Sequence, residues 1–130
     1  MLDREIRTLA SKGKNFGALS FHLASGQIAT HVMWVDADDD HILINTERHR
    51  AKFKAIEANP QVTVTIWRSD NPYGYAEIRG TVVDTVYGQE ARDHIDHLAT
   101  RYQGSSYRNL IASERVILKI RPDRQRTQNL

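Results

Sequence analysis

The chain has 130 residues and a net charge of +2, because 18 basic side chains nearly balance 16 acidic ones. This length favours a single domain, residues 1–130, which can bury a core but needs a second subunit to enclose a large ligand. The absence of cysteine excludes disulfides and thiolate chemistry, and the absence of a long apolar run, at the start or elsewhere, predicts a cytoplasmic protein without a membrane partner.

The first predicted elements are a helix and a β-hairpin. Apolar residues recur at helical spacing over residues 2–10, and Lys12-Gly13-Lys14 ends that pattern. Two strands follow, at residues 16–23 and 28–35, joined by a turn at residues 24–27. The second strand is apolar on both faces. A barrel interior can cover one face, and a subunit interface, a flat cofactor or further packing within the domain can cover the other.

The segment at residues 42–60, ILINTERHRAKFKAIEANP, combines a strand with a basic helix. Three apolar residues form the strand, the Thr46 hydroxyl can cap the helix, and Asn59-Pro60 ends it. Five cations crowd the first helical turns: Arg48, His49, Arg50, Lys52 and Lys54. Cations are unfavourable at the positive end of a helix dipole unless an anion joins them. The segment is therefore either a phosphate cradle, completed by backbone N–H groups, or a solvated basic face.

The remaining predicted elements complete a small antiparallel barrel. They are strands at residues 62–67, 75–85 and 115–121, a turn-rich loop at residues 69–74, and a helix at residues 89–103 ended by Gly104. Residues 122–130 have few apolar side chains with which to form a core, so we expect a mobile tail. Together with the strand at residues 42–44, the pattern gives six strands and three helices, a mainly β (α+β) fold.

Metal and nucleic-acid sites are not expected. The acidic residues 36–40 lack the central glycine and closing glutamate of a calcium loop, and they predict an exposed turn. A second polar group lies on one face of the predicted third helix: Asp93, His94, Asp96 and His97. We expect that face to be solvated and to hold no metal. The cations are clustered, whereas nucleic-acid binders spread them over a face with aromatic residues between them.

The sequence also argues against two common kinds of enzyme site. Ser105-Ser106 lacks the Gly-x-Ser-x-Gly elbow of hydrolases, and no Gly-x-Gly-x-x-Gly turn is present to bind a dinucleotide. A flavin or deazaflavin enzyme needs a slot for the ring, a phosphate cradle and walls that hold the substrate, since the cofactor itself carries the hydride. We therefore predict no catalytic side chain.

Five short motifs follow one another along the chain. They are IATHVMWV at residues 28–35, NTERHRAK at 45–52, VTVTIW at 62–67, DNPY at 70–73 and EIRG at 77–80. Their succession resembles the FMN-binding split-barrel superfamily, the pyridoxamine 5'-phosphate oxidase-like proteins, and in particular its branch that uses the deazaflavin coenzyme F420. The resemblance extends over roughly residues 16–107.

This resemblance implies a six-stranded antiparallel split β-barrel with flanking helices, which pairs as a homodimer and binds its cofactor in a groove at the dimer interface. It implies an oxidoreductase that transfers hydride from reduced coenzyme F420 to a small, conjugated organic substrate. Two alternatives stay open: an FMN-dependent oxidoreductase of the same fold, and a flavin- or deazaflavin-binding carrier protein without its own turnover.

The resemblance also implies which residues bind the cofactor. The residues implied around the ring are His31, Val32, Met33 and Trp34, and those near the ribityl chain are Asn45 and Thr46. Arg50 and Lys52, with Ala51 between them, are implied at the phosphate, and Lys54 at the acidic tail that distinguishes F420 from FMN. The residues expected from the partner subunit are Ile66, Trp67, Asn71, Pro72 and Tyr73. The two aromatic residues among them could instead be ordinary core or interface residues.

Overall fold

A computed structural model describes residues 1–130. It contains three helices and seven strands: α1 Arg4–Ser11, β1 Phe16–His22, β2 Ile28–Trp34, β3 Asp36–Ala37, β4 Ile42–Glu47, α2 Ala51–Ala58, β5 Gln61–Arg68, β6 Asn71–Val86, α3 Gln89–Gln103 and β7 Arg115–Gln128. None of the three helices has the length and apolar character needed to cross a membrane.

All seven strands form one antiparallel sheet in the order β2-β1-β5-β6-β7-β4-β3. The long pair β6 and β7 has register shifts at Arg79/Gly80 and Val82/Asp84, and such irregularities bend and twist a sheet. The sheet curls into a half-barrel, which confirms the predicted split-barrel fold. It has seven strands, one more than predicted, because Asp36 and Ala37 pair with the start of β4.

The main core lies between the sheet, α1 and α2. Ile6 of α1 and Phe53 and Ile56 of α2 are buried against strand residues such as Leu19 and Ile78. Helix α3 stands apart from this core with a small cluster of its own, in which Ile95, Leu98 and Tyr102 pack against Trp34 and Tyr107. The third helix therefore covers the end of β2 and leaves space between itself and α2.

The start of α2 differs from the prediction. Thr46 does not cap the helix, because β4 continues through Glu47 and the helix begins at Ala51 without a side-chain cap. The last three residues of β4 pair with the first three of β7, which extends the strand beyond the apolar run. The cations consequently divide: Arg48 to Arg50 occupy the turn, while Lys52 and Lys54 lie on the helix.

The carboxyl-terminal residues are also more ordered than predicted. Residues 122–128 are not a mobile tail but continue β7, paired with β6 from Gly80 to Tyr75. Side chains fasten this polar strand too, since Gln125 accepts a hydrogen bond from the backbone N–H of Asp3 at 2.7 Å. The predicted loop at residues 69–74 shortens to a turn at Ser69 and Asp70, because β6 begins at Asn71.

Candidate cofactor-binding site

A cleft of about 320 Å³ lies between β2, the end of β4, the start of α2, and α3. Its volume is at the lower end of the range of about 300–1,000 Å³ found for small-molecule sites. The lining residues are Phe16, Val32, Met33, Trp34, Asn45, Thr46, Arg50, Lys52, Ile95, Leu98, Tyr107, Asn109 and Arg115. The cleft therefore has an apolar side along β2 and α3 and a cationic side at α2 and β7.

The apolar side is held flat by aromatic packing. The ring of Trp34 stacks on Tyr102 with 5.3 Å between centroids and an interplanar angle of 9°. The ring of Tyr107 meets Trp34 edge-on at 6.3 Å. The Tyr102 hydroxyl is fixed in turn, since it accepts a hydrogen bond from the backbone N–H of Val35 at 3.2 Å and donates to the carbonyl of Asn15. A rigid, flat wall of this kind suits a planar ring.

Three cations line the opposite side. Lys52 is only 8% exposed, and its Nζ lies 4.0 Å from the sulfur of Met33. Burial, followed by the charges of Arg50 and Arg115, lowers the pKa of Lys52 to about 8. Arg115 is 5% exposed, and burial lowers its pKa as well. Glu47 lies 3.5 Å from Arg115 and is the buried carboxylate on this side of the cleft.

A chain of polar side chains runs behind the cleft. Asp36 Oδ2 lies 2.9 Å from His94 Nε2, His94 Nδ1 lies 3.0 Å from Asn45 Nδ2, and Asn45 Oδ1 accepts a hydrogen bond of 2.8 Å from Arg115 Nε. Asp36, which was predicted in an exposed turn, is instead buried. Burial raises the pKa of Asp36, but hydrogen bonds from His94 and the Ala37 backbone, with the nearby charges, lower it overall.

The His and Asp side chains of α3 are not grouped as a metal site. His94 directs its two ring nitrogens at Asp36 and Asn45, so both are engaged within the chain. Asp96 instead pairs with Arg92 on the same helix at 2.7 Å. No group of three or more His, Asp or Glu side chains is close enough to hold a metal ion.

The structure brings seven of the predicted site residues to this cleft: Val32, Met33, Trp34, Asn45, Thr46, Arg50 and Lys52. His31 lies beside them and is exposed. The partial burial that remains, followed by the charges of Lys52 and Arg50, lowers the pKa of His31. Ala51 and Lys54 do not line the cleft. They line an adjacent groove of about 640 Å³ between α2 and the β1–β2 turn.

Five predicted residues lie elsewhere in this subunit. Ile66 is fully buried in the core, so its side chain cannot reach a ligand from any subunit. Trp67, at the end of β5, and Asn71, at the start of β6, are half-buried, whereas Pro72 and Tyr73 are exposed. Tyr73 is 74% exposed. These four could meet a ligand only across a subunit interface.

Six lining residues were not predicted: Phe16, Ile95, Leu98, Tyr107, Asn109 and Arg115. The two on α3 belong to its apolar stripe, which the sequence marks as packing surface without showing that it also borders a cleft. Only the pairing of β4 with β7 shows the position of Arg115, because this pairing sets it directly opposite Glu47. The two strands are far apart in sequence, so no local motif reveals that they are neighbours.

Known proteins resemble this chain in sequence pattern and in fold. The family model described as pyridoxamine 5'-phosphate oxidase matches residues 2–129. A solved structure named F420 reductase is 27% identical and has a TM-score of 0.82, with 96% of this chain and 98% of that chain covered. Both comparisons confirm the split-barrel resemblance drawn from the motifs. A search of curated protein sequences finds no significant match.

Two further structures share the fold at lower identity. A conserved hypothetical protein from Mycobacterium tuberculosis is 21% identical with a TM-score of 0.70, covering 98% of this chain and 84% of that chain. General Stress Protein 26 from Bacillus anthracis str. Sterne is 22% identical with a TM-score of 0.70, covering 96% and 92%.

We expect the stability of the protein to depend on pH through Lys52. Its pKa falls from the ordinary 10.5 to about 8 on folding, so between these values the unfolded chain binds more protons and the free energy of unfolding rises with pH. Lys52→Met should remove about 1–3 kcal/mol of that rise after allowance for solvent screening. Urea unfolding of the parent and of Lys52→Met at pH 7 and pH 10 measures this change in the free energy of unfolding. The same pH dependence in both proteins would contradict the lowered pKa of Lys52.

Proposed function

We infer that this chain, which belongs to the pyridoxamine 5'-phosphate oxidase family, is an oxidoreductase that binds reduced coenzyme F420 and transfers its hydride to a small, conjugated organic substrate. Proteins of this fold bind flavin-type cofactors. The observation that carries the inference is the cleft itself, in which a flat apolar wall meets three converging cations. The similarity to a protein named F420 reductase supports the deazaflavin over FMN.

The residues present fit the parts of this cofactor. Val32, Met33 and Trp34 would hold the planar ring against the aromatic wall, and Arg50 and Lys52 would donate charge-assisted hydrogen bonds to the phosphate. The coenzyme, when bound, supplies the hydride. The chain's own residues bind it, orient it and exclude water, and none of them is required to act as a nucleophile.

The contacts to the ribityl chain are more restricted than the sequence implied. Asn45 donates its two amide hydrogens to the carbonyl of Ala91 and to His94, both at 3.0 Å, and its oxygen accepts from Arg115. Only one lone pair of that oxygen is left for a ligand. Thr46 also lines the cleft, and its hydroxyl makes no side-chain hydrogen bond within the chain. We therefore assign the ribityl contact chiefly to Thr46.

The adjacent groove offers a place for the acidic tail of coenzyme F420. Its lining includes Lys54 and Ala51 from the first turns of α2, directly after Arg50 at the cleft. A ligand whose phosphate meets Arg50 and Lys52 could thus continue along the helix to Lys54. FMN ends at its phosphate and would leave this cation unused.

A second subunit would complete the site. Strand β2 is an edge strand paired only with β1, and Ile28 and Val32 are 63% and 64% exposed on one of its faces. An open, apolar edge strand is a liability unless another chain covers it. We propose a homodimer in which Trp67 of the partner subunit, with Asn71, Pro72 and Tyr73 of the partner subunit, closes the open side of the cleft.

The proposed activity predicts oxidation of reduced coenzyme F420 in the presence of conjugated acceptors. Purified protein should be colourless and should quench deazaflavin fluorescence on titration. Recovery of the oxidised coenzyme's absorbance with a panel of enones, compared with the rate without protein, measures turnover. Binding without any acceptor-dependent oxidation would indicate a carrier, and a yellow protein with flavin absorbance as purified would indicate an FMN enzyme.

The cationic residues should contribute to binding in different ways. Arg50→Ala or Lys52→Ala should each cost about 1.5–3 kcal/mol, roughly ten- to a hundredfold in affinity, for both coenzyme F420 and FMN. Lys54→Ala should weaken coenzyme F420 more than FMN, because only the former has an acidic tail. Fluorescence titrations at two ionic strengths measure these affinities. Unchanged affinity in all three variants, without salt dependence, would indicate that the basic segment at residues 42–60 is a solvated face.

Loss of the aromatic residues expected from the partner should weaken the ring contact without separating the subunits. Trp67→Ala and Tyr73→Ala should each cost about 0.5–1.5 kcal/mol beyond the loss of buried area. Light scattering should give a dimer mass for the parent and both variants at micromolar concentration. A monomer mass for the parent, or coenzyme affinities equal to the parent's in both variants, would refute the shared site.

A further inference from the structure

We propose that Arg115 is a third cationic contact for the ligand phosphate, on the same side of the cleft as Arg50 and Lys52, and that Asn45, His94 and Asp36 are positioning residues that hold its guanidinium. This inference rests on the proposed function for the identity of the ligand. It concerns a residue that no sequence motif marks, at the start of β7.

Arg115 is almost fully buried but keeps donors open to the cleft. Its Nε donates to Asn45 Oδ1 at 2.8 Å. Its Nη1 faces Glu47 at 3.5 Å, and the guanidinium lies 5.2 Å from the centroid of the Tyr107 ring. The two terminal nitrogens carry four N–H groups. Since Arg115 lines the cleft, the N–H groups that do not face Glu47 can donate to an oxyanion there.

The amide of Asn45 fixes the direction of this guanidinium. Its nitrogen donates to the carbonyl of Ala91 and to His94 Nδ1, so its oxygen must face Arg115. A flipped amide would set its oxygen against the Ala91 carbonyl and its N–H groups against Arg115. His94 Nδ1 therefore accepts, its proton lies on Nε2, and that N–H donates to Asp36 Oδ2 at 2.9 Å. Each group in the chain determines the orientation of the next.

The charges also suit a phosphate. Arg50, Lys52 and Arg115 carry three positive charges at the cleft while Lys52 is protonated, and Glu47 carries one negative charge, which leaves two positive charges to attract an anionic phosphate. If Arg115 served only to neutralise Glu47, an ion pair would suffice. The additional hydrogen-bonded chain fixes the guanidinium plane, which matters for a fork-shaped contact with an oxyanion.

The test compares riboflavin with FMN, which differ only in the phosphate. The dissociation constant of riboflavin divided by that of FMN measures the phosphate contribution alone, and this quotient is the ratio compared between variants. Because Arg115→Met alone would leave the buried Glu47 carboxylate with only His49, 3.0 Å away, as a partner, the variant is made together with Glu47→Gln. Circular dichroism and unfolding curves verify that each variant is folded.

We expect Glu47→Gln alone to raise the ratio, because a negative charge leaves the site. The double variant Glu47→Gln/Arg115→Met should lower it by about tenfold or more relative to Glu47→Gln. The matched control is Arg48→Met, since Arg48 pairs with Glu114 at 3.2 Å and does not line the cleft. Its ratio should equal the parent's. Equal ratios in Glu47→Gln and the double variant would overturn the proposal, as would a parent that does not distinguish FMN from riboflavin.

Asn45→Ala tests the positioning chain. If Asn45 acts through Arg115, the variant should weaken FMN more than riboflavin and so lower the ratio. If Asn45 touches the ribityl chain instead, riboflavin and FMN should weaken equally and the ratio should stay constant, which would refute the positioning role. Failure of the proposed function is seen separately, as phosphate-dependent binding with no hydride transfer from reduced coenzyme F420.

Discussion

The pairing of β4 with β7 is the constraint on which the cleft depends. It holds Asn45, Thr46 and Glu47 in extended conformation after the apolar run has ended. In a strand, alternate side chains point to opposite faces, so this extension decides which groups reach the cleft and which lie behind it. It also sets Arg115 opposite Glu47, two residues that are 68 positions apart by number. Had the helix begun at Thr46, neither the buried ion pair nor the amide link to α3 could form.

The second feature that shapes the site is the separation of α3 from the main core. Helices α1 and α2 bury their side chains in the large cluster, whereas α3 lies against β7 and β4 and reaches β2 through the stack of Trp34 and Tyr102. A gap remains between α3 and α2, and the cationic start of α2 borders that gap. The cleft is thus a consequence of how three helices are distributed over one sheet, and no single motif creates it.

Local patterns predicted the parts of this fold that depend on local forces. Helix α3 has the predicted bounds, Gln89–Gln103, because its apolar stripe is regular and Gly104 adopts the left-handed conformation that ends a helix. Alternation likewise identified β1, β2 and β5. The end of β4, the paired residues of β7 and the burial of Asp36 were missed, because each depends on a strand or helix that is distant in sequence. Polar residues can form an ordered strand when a neighbour supplies the hydrogen bonds, and composition alone does not reveal that neighbour.

The same distinction explains the site. Motif resemblance predicted the cleft-lining residues of β2, β4 and α2, which follow one another closely. It did not mark Arg115, which also lines the cleft, or show that the amide of Asn45 is engaged by α3 and β7. Three mutually repelling cations, two of them almost fully buried, lower the stability of the chain wherever Glu47 cannot neutralise them. Such a group is tolerable if an anion joins it, because the anion removes the repulsion as well as adding hydrogen bonds. Part of the affinity for a phosphate would then come from relief of repulsion within the chain. Burial, followed by the charges of Arg50 and Arg115, lowers the pKa of Lys52, and a bound anion would oppose the part that these charges contribute.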